Sequence, residues 1–266
     1  MQNTLVTKLP RNVTLKAVIS IAKGAGRIAL DHSHNGTLNI QEKSPQDRVT
    51  VADIASENHI RQSLYQLNPN IGFMGEESGT TPTISRKNTE FLWIVDPIDG
   101  TENFIRGIDH WSISIALTRN EKPVLGVVYL PFQDQCYSAV TGQKAYKNGK
   151  IITTSAIKTA EQALIGMGVS NRIDFKTDYL DVLEHLHQQG LEHRRFGSAA
   201  YSLCQVAEGI IEGYIEKHLN PWDAAAGVLI AKEAGAYVGD IDLSDPGGAP
   251  VYVIVPALKE IVTRLC

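Results

Sequence analysis

Cysteine is scarce in this chain, with three in 266 residues. Cys136, Cys204 and Cys266 are odd in number, far apart and in no Cys-x-x-Cys pair, which excludes a disulfide framework and a thiolate zinc site. A reducing, cytoplasmic setting is the expectation. Long apolar runs are missing too: nothing approaches the ~18 consecutive apolar residues of a membrane span. The N-terminus mixes Lys8, Pro10 and Arg11 into weakly apolar sequence, so neither secretion nor membrane anchoring is expected. Charge of one sign is nowhere concentrated. With 25 Lys and Arg against 29 Asp and Glu the net charge is −4, and dispersed basic residues leave no footprint for nucleic acid or anionic lipid. Internal repeats, low-complexity tracts and a Pro/Ser-rich linker are absent as well.

What is present is an ordinary globular composition, 43% hydrophobic and 20% charged, sufficient for a sizeable interior. Apolar positions Val13, Ala17, Val18, Ile21, Ala25, Ile28 and Ala29 predict a helix to about His32, and Ile54, Ile60, Leu64 and Leu67 predict a second over 51–67, stopped by Asn68 and Pro69. Strands are predicted at 71–74, 91–95, 112–118, 124–129 and 135–140, with Asn148-Gly149 as a hairpin turn. Beyond Thr153 strands and helices alternate: a strand at 163–169, helices over 179–189 and from Ser198 to Gly209, and one capped by Asp223 that ends at Gly235. A loop at 242–250 precedes a closing strand at 251–255 and a short helix. We therefore expect two tightly packed lobes, 1–153 and 154–266, in a mixed α/β (α+β) fold.

"GAGRIA", 24–29, satisfies the dinucleotide pattern G-x-G-x-x-G/A, but it lies within a helical apolar pattern instead of between a strand and a helix. Gly24 and Gly26 are better read as allowing close helix packing. Trp93, Trp111, Trp222 and Tyr137 read as core.

The acidic residues are more informative. Glu76 and Glu77 follow a short apolar run, Asp96 and Asp99 follow another, and Asp223 stands at a helix start. Carboxylates gathered in one place repel or raise one another's pKa unless a cation lies among them. Oxygen donors without His or Cys favour Mg²⁺ or Mn²⁺ over zinc, and one shared carboxylate is the usual bridge of a two-metal site. Pro97 fixes φ and removes a donor while Gly100 permits a turn, making a stiff corner that aims Asp96, the Ile98 carbonyl and Asp99 at one region. Taken alone, "DPIDG" is equally well a surface turn.

Five segments in order, "KSPQDRVTVAD" (43–53), "GEES" (75–78), "WIVDPIDGTENF" (93–104), "GSAA" (197–200) and "WDAAAG" (222–227), resemble the inositol monophosphatase family within the lithium-sensitive, Mg²⁺-dependent phosphatases. The resemblance implies a layered αβαβα sandwich of the sugar-phosphatase type, a homodimer, and two or three Mg²⁺ ions per site. It implies metal ligation by Glu76, Asp96, the Ile98 carbonyl, Asp99 and Asp223. Glu76 and Thr101 would orient and activate the attacking water, with Asp53 supporting Thr101. Gly100 and Thr101 would contact the phosphate, and Gly197, Ser198, Ala199, Glu216 and Asp223 the alcohol half of the substrate. Lys43 would approach the metal region and Glu77 would act behind it. The implied activity is hydrolysis of a phosphorylated polyol, sugar or nucleotide, foremost inositol 1-phosphate. Its alternatives are a 3'(2'),5'-bisphosphate nucleotidase, a fructose-1,6-bisphosphatase with Arg172, Arg194 and Arg195 serving a second phosphate, or a regulatory protein on the same fold. Ser198 as a mere helix cap and Glu216 as a solvated strand-end charge are the plain structural readings. Glu102 stands where inositol monophosphatases often have threonine, and bears on substrate choice.

Overall fold

Thr14 and Thr50 start the first two helices, each lending its hydroxyl to a backbone N–H of the first turn, and Asp53 completes a capping box with Thr50. Helices α1 (Leu15–His34) and α2 (Val51–Leu67) follow. The structure is a computed structural model that describes residues 8–36, 38–44, 47–80, 90–170 and 172–263. Cys266, Pro45 and Gln46 of the first motif, and the opening residues of the expected N-terminal lobe lie outside them. A small hairpin, β1 (Gln41–Ser44) and β2 (Asp47–Val49), joins the two helices.

The large sheet has eight strands: β3 (Gly72–Gly75), β4 (Gly79–Thr80), β5 (Phe91–Asp99), β6 (Ser112–Arg119), β7 (Lys122–Leu130), β8 (Gln135–Val140), β9 (Ala145–Lys147) and β10 (Lys150–Ile152). They lie in the order β10-β9-β8-β7-β6-β5-β3-β4, and all neighbours are antiparallel except β3 and β5. Asn148 and Gly149 form the β9–β10 turn, both with positive φ, as expected. After α3 (Thr101–Ile105), the second half supplies β11 (Leu164–Met167), α4 (Asp181–Gln188), β12 (Glu192–Arg194), α5 (Ala199–Glu208), β13 (Gly213–Leu219), α6 (Pro221–Glu233), β14 (Tyr237–Val238), β15 (Ala249–Ile254) and α7 (Lys259–Thr263). Its five strands are ordered β12-β11-β13-β15-β14.

Alternation along the central strands builds the layers. Ile113, Ile115 and Leu117 on β6 and Leu125 and Val127 on β7 face α1 and α2, while Ala116, Val128 and Leu130 face α5 and α6. Both faces are covered, which is why these strands read as continuous apolar runs. The middle cluster joins Met74, Ile94 and Val128 to α5, α6 and the five-stranded sheet, so one core spans the two halves. A third cluster packs Val182 and Leu186 of α4 on that sheet's outer face. The result is the αβαβα sandwich. Among the described residues, no helix is long and apolar enough to cross a membrane.

Three local expectations need correction. β5 does not stop at Val95: it runs to Asp99 with a bulge, Asp96 standing opposite Ser114 and Asp99 opposite Ser112, so three steps on β5 match two on β6. Pro97 cannot donate to the ladder, and the extra residue absorbs that gap. Asp223 is not the cap of α6 but its third residue, behind Asn220 and Pro221. On α2, Ile60, Leu64 and Leu67 pack on the core as expected, but Ile54 is exposed, and Asp53 and Glu57 complete the buried face.

The glycines of "GAGRIA" lie inside α1: a Cβ on Gly26 would fall 2.7 Å from Tyr129 and Pro131 side-chain atoms, a helix-packing contact. Gly126 on β7 is the more constrained, because a Cβ there would sit 2.8 Å from a backbone atom, the Ala226 carbonyl oxygen of α6. Backbone cannot step aside as a side chain can. Gly126→Ala is expected to destabilise the fold by about 2 kcal/mol, lowering the melting temperature by about 4–8 °C. Thermal unfolding followed by circular dichroism checks it; an unchanged midpoint would show that α6 floats on β7.

Candidate active site

The bulge of β5 turns Asp96 and Asp99 to one side of the sheet, where the first turn of α6 brings Asp223. Carboxylate oxygens of Asp96, Asp99 and Asp223 lie within 4.8 Å of one another. Each is partly held: Ile98 N donates to Asp96 Oδ1 at 2.9 Å, and Asn220 Nδ2 donates to Asp223 Oδ2 at 3.2 Å. Asp99 is held most firmly, accepting from Ser112 Oγ (3.2 Å), Ala199 N (3.1 Å), Ala200 N (2.9 Å) and Ser198 Oγ.

Those last bonds show what the "GSAA" segment does for Asp99. Ser198 occupies the N-cap position of α5 but does not cap it; Asp99, 99 residues earlier, accepts the helix's first N–H groups. Ser198 Oγ and Ala199 N turn to Asp99, and Ser198 and Ala199 line, with Gly197 and Glu216, a smaller cavity of about 160 Å³ that Asp99 and Asp223 share; Gly197 and Glu216 line the larger basin as well.

Burial raises all three pKa values, and crowding by like charge adds to it for Asp96 and Asp99. The Asp99 carboxyl is pushed up to about 7, first by burial and then by Asp223, against the bonds from Ser198 and α5. Asp96 is pushed well above the usual range by burial, Glu76 and Asp223. Like charges this close in a buried place press Asp96 towards its neutral form. A cation among these oxygens satisfies them better than protons do. The donor set, all carboxylate with a backbone carbonyl nearby, fits a hard divalent ion.

Glu76 ends β3, its N–H donating to Val95 O at 3.1 Å, and burial pushes its carboxyl well up. Lys43 Nζ lies 3.5 Å from Glu76 Oε1 and donates to Glu77 Oε1 at 2.7 Å. The Thr101 hydroxyl lies 3.0 Å from the Ile98 carbonyl and 3.3 Å from Asp53 Oδ1. Asp53 is itself pinned by Thr50 N (2.8 Å) and Thr50 Oγ1 (2.5 Å). Gly100 has φ 96°, and a Cβ there would come 3.0 Å from Gly197 O, so only glycine lets α3 start against the chain entering α5.

These groups open onto a basin of about 940 Å³. Glu216 lines it from β13 and is buried, not the solvated charge of the plain reading; Tyr214 Oη donates to it, and burial pushes its carboxyl up to about 8. Trp222 packs against the middle core cluster, as expected, and also lines the basin. Arg172 and Arg195 line its far side, whereas Arg194 turns away to Glu192. Glu102 stands at the rim, half exposed, answered by Arg48 (3.0 Å) and Arg106 (2.7 Å). The hydrogen bond from Arg106 holds its carboxyl below the usual range.

Two contributors escape sequence reasoning. Asn103 Nδ2 donates to both His110 O (2.7 Å) and Phe196 O (2.8 Å), fastening α3 to the segment that enters α5. Glu57, buried on α2, accepts from Glu77 N (2.9 Å) and Ser78 N (3.0 Å). Its spacing of four from Asp53 within a buried face was the available signal.

A family model described as "Inositol monophosphatase family" matches residues 11–266. An inositol-1-monophosphatase from Rhizobium meliloti (strain 1021) is 35% identical over 263 residues, covering 95% of this chain and 96% of that protein. A fructose-1,6-bisphosphatase/inositol-1-monophosphatase from Aquifex aeolicus (strain VF5) is 37% identical over 199 residues, 74% of each chain. Among solved structures, the extragenic suppressor protein suhB from Bartonella henselae superposes with a TM-score of 0.86 at 32% identity, covering 94% of this chain and 97% of that one.

Proposed function

Because the chain belongs to the inositol monophosphatase family, we propose that it is a Mg²⁺-dependent phosphate monoester hydrolase with inositol 1-phosphate as its foremost substrate. The observation that carries this reading is the convergence of Asp96, Asp99 and Asp223, with Asp223 and the neighbouring Glu76 lining an open basin. With Glu76 and the Ile98 carbonyl they would hold two or three Mg²⁺ ions. Such ions, when bound, neutralise the phosphate dianion, lower the pKa of a water and stabilise the leaving alkoxide.

The chain's own groups do the rest. Thr101 directs its hydroxyl hydrogen to Asp53 or to the Ile98 carbonyl, which leaves its lone pairs to receive a hydrogen bond from the attacking water. Glu76 takes up the water's proton, and Lys43, anchored to Glu77, limits the negative potential beside it. The Gly100 and Thr101 N–H groups approach the phosphate. Glu216, kept in place by Tyr214, accepts from a substrate hydroxyl, and Gly197 leaves room for the ring. Sensitivity to Li⁺ and a homodimer, which rest on family resemblance, and a cytoplasmic place, which rests on the scattered cysteines, belong to the same proposal.

A second reading, a substrate with two phosphates, is favoured by Arg172 and Arg195 on the basin's far side and by the double name of the Aquifex relative. Phosphate release, with and without Mg²⁺, from inositol 1-phosphate, fructose 1,6-bisphosphate, adenosine 3',5'-bisphosphate, histidinol phosphate and NADP tests both. We expect Mg²⁺-dependent release with the highest kcat/KM on inositol 1-phosphate. A higher value on a bisphosphate would establish the second reading, and no release from any would favour a regulatory protein on a phosphatase fold.

A further inference from the structure

Helix α2 meets the acidic centre along one face, with Asp53 and Glu57 a turn apart. Asp53 reaches Thr101; Glu57 reaches the turn between β3 and β4, which carries Glu76. All three N–H groups of that turn have partners: Glu76's meets Val95 O (3.1 Å), Glu77's meets Glu57 Oε2 (2.9 Å) and Ser78's meets Glu57 Oε1 (3.0 Å). One carboxylate thus clamps the two residues that follow Glu76. Only 4% of Glu57 is exposed, and it does not line the basin. Gly75 makes the room, since a Cβ there would fall 2.3 Å from Glu57 Oε2.

We infer that Glu57 is a positioning residue, whose two-pronged grip on the Glu77 and Ser78 amides fixes where the Glu76 carboxylate stands relative to Asp96 and Thr101. It touches neither substrate nor water and acts through Glu76. A carboxylate suits the task because its two oxygens accept from two adjacent amides at once, and burial keeps water from replacing it. α2 would then set both halves of the water-activating pair, Thr101 through Asp53 and Glu76 through Glu57. The inference rests on the reading of Glu76 as metal ligand and proton acceptor.

The test uses Glu57→Ala, Glu57→Gln, Gly75→Ala and the Gly75→Ala/Glu57→Ala double variant, with Mn²⁺ binding by electron paramagnetic resonance, amide exchange at residues 77 and 78, and separate kcat and KM. Glu57→Ala is expected to speed that exchange and to weaken Mn²⁺ binding and lower kcat by about 10–100-fold, with KM changed less than about threefold. Glu57→Gln keeps one acceptor and recovers part of the loss. Gly75→Ala leaves Glu57 present but displaced and reproduces the defect. Adding Glu57→Ala to it causes no further loss, because the atom the new methyl strikes is gone and the next contact, Phe73 Cε1 at 2.9 Å, belongs to a ring edge. Unchanged Mn²⁺ affinity in Glu57→Ala, a fall in melting temperature alone, or additive losses in the double variant would overturn the inference. Should the wild type release no phosphate, the proposed function fails, and the Mn²⁺ and exchange measurements still decide the role of Glu57.

Discussion

Asp96→Asn is expected to lower Mg²⁺-dependent phosphate release by about 10³-fold or more while leaving the metal-free protein at least as stable as wild type. The substitution is isosteric, and the amide oxygen can still accept from Ile98 N, the bond at 2.9 Å that shapes the bulge. What disappears is a charge. Asp96 is buried among Glu76, Asp223 and Asp99, and without a cation that position destabilises the folded state, as its raised pKa records. Removing it relieves the crowding and weakens the hold on a divalent ion together. Melting curves in EDTA and in Mg²⁺ check the second half: wild type should gain stability with Mg²⁺ by mass action, and the variant should gain much less. Turnover near the wild-type rate at saturating Mg²⁺ would remove Asp96 from the proposed ligand set.

The metal-free protein should lose stability as pH rises from about 4 to about 8, the reverse of ordinary acid denaturation. Asp99 is pushed up to about 7 and Glu216 to about 8, chiefly by burial, and Asp96 and Glu76 move in the same direction. In the unfolded chain such carboxyls titrate near 4. Between these limits the folded state holds more protons, so each step up in pH favours unfolding; below about pH 4 both states are protonated and the slope vanishes. A carboxyl shifted this far contributes on the order of a few kcal/mol across the window. Mg²⁺ replaces the protons and binds more tightly as they leave, so the Mg²⁺-induced rise in melting temperature should grow with pH. Melts in EDTA across this range, repeated with Mg²⁺, provide the measurement. A metal-free midpoint that climbs from pH 5 to pH 8 would mean that other groups outweigh this crowded centre.

Much of the architecture was legible because its signals are local. Thr50 with Asp53 and Asn68 with Pro69 mark both ends of α2, and Asn148-Gly149 marks its hairpin, since caps and tight turns depend on residues a few positions apart. Periodicity failed where a buried face is polar. Asp53 and Glu57 occupy core positions of α2 while Ile54 faces solvent, so a hydrophobic count finds Ile60 and Leu64 but misses the half of the face that meets the acidic centre. Trp222 plays two parts of which sequence shows one: packed against the core cluster, it also walls the basin.

By itself the sequence determined the chemistry at hand. Oxygen donors in Asp96, Asp99, Asp223 and Glu76, no cysteine pair, and the Pro97 to Gly100 stretch already restrict the site to hard cations, because ligand type is a property of side chains. Tertiary structure alone decided which donors meet and what holds them. Asp99 caps a helix that begins 100 residues later, Glu57 grips amides 20 and 21 residues away, and Glu102 is answered by Arg48, 54 residues earlier. A side chain's partner is set by how elements pack, and packing is a sum over the whole core that no short window of sequence contains.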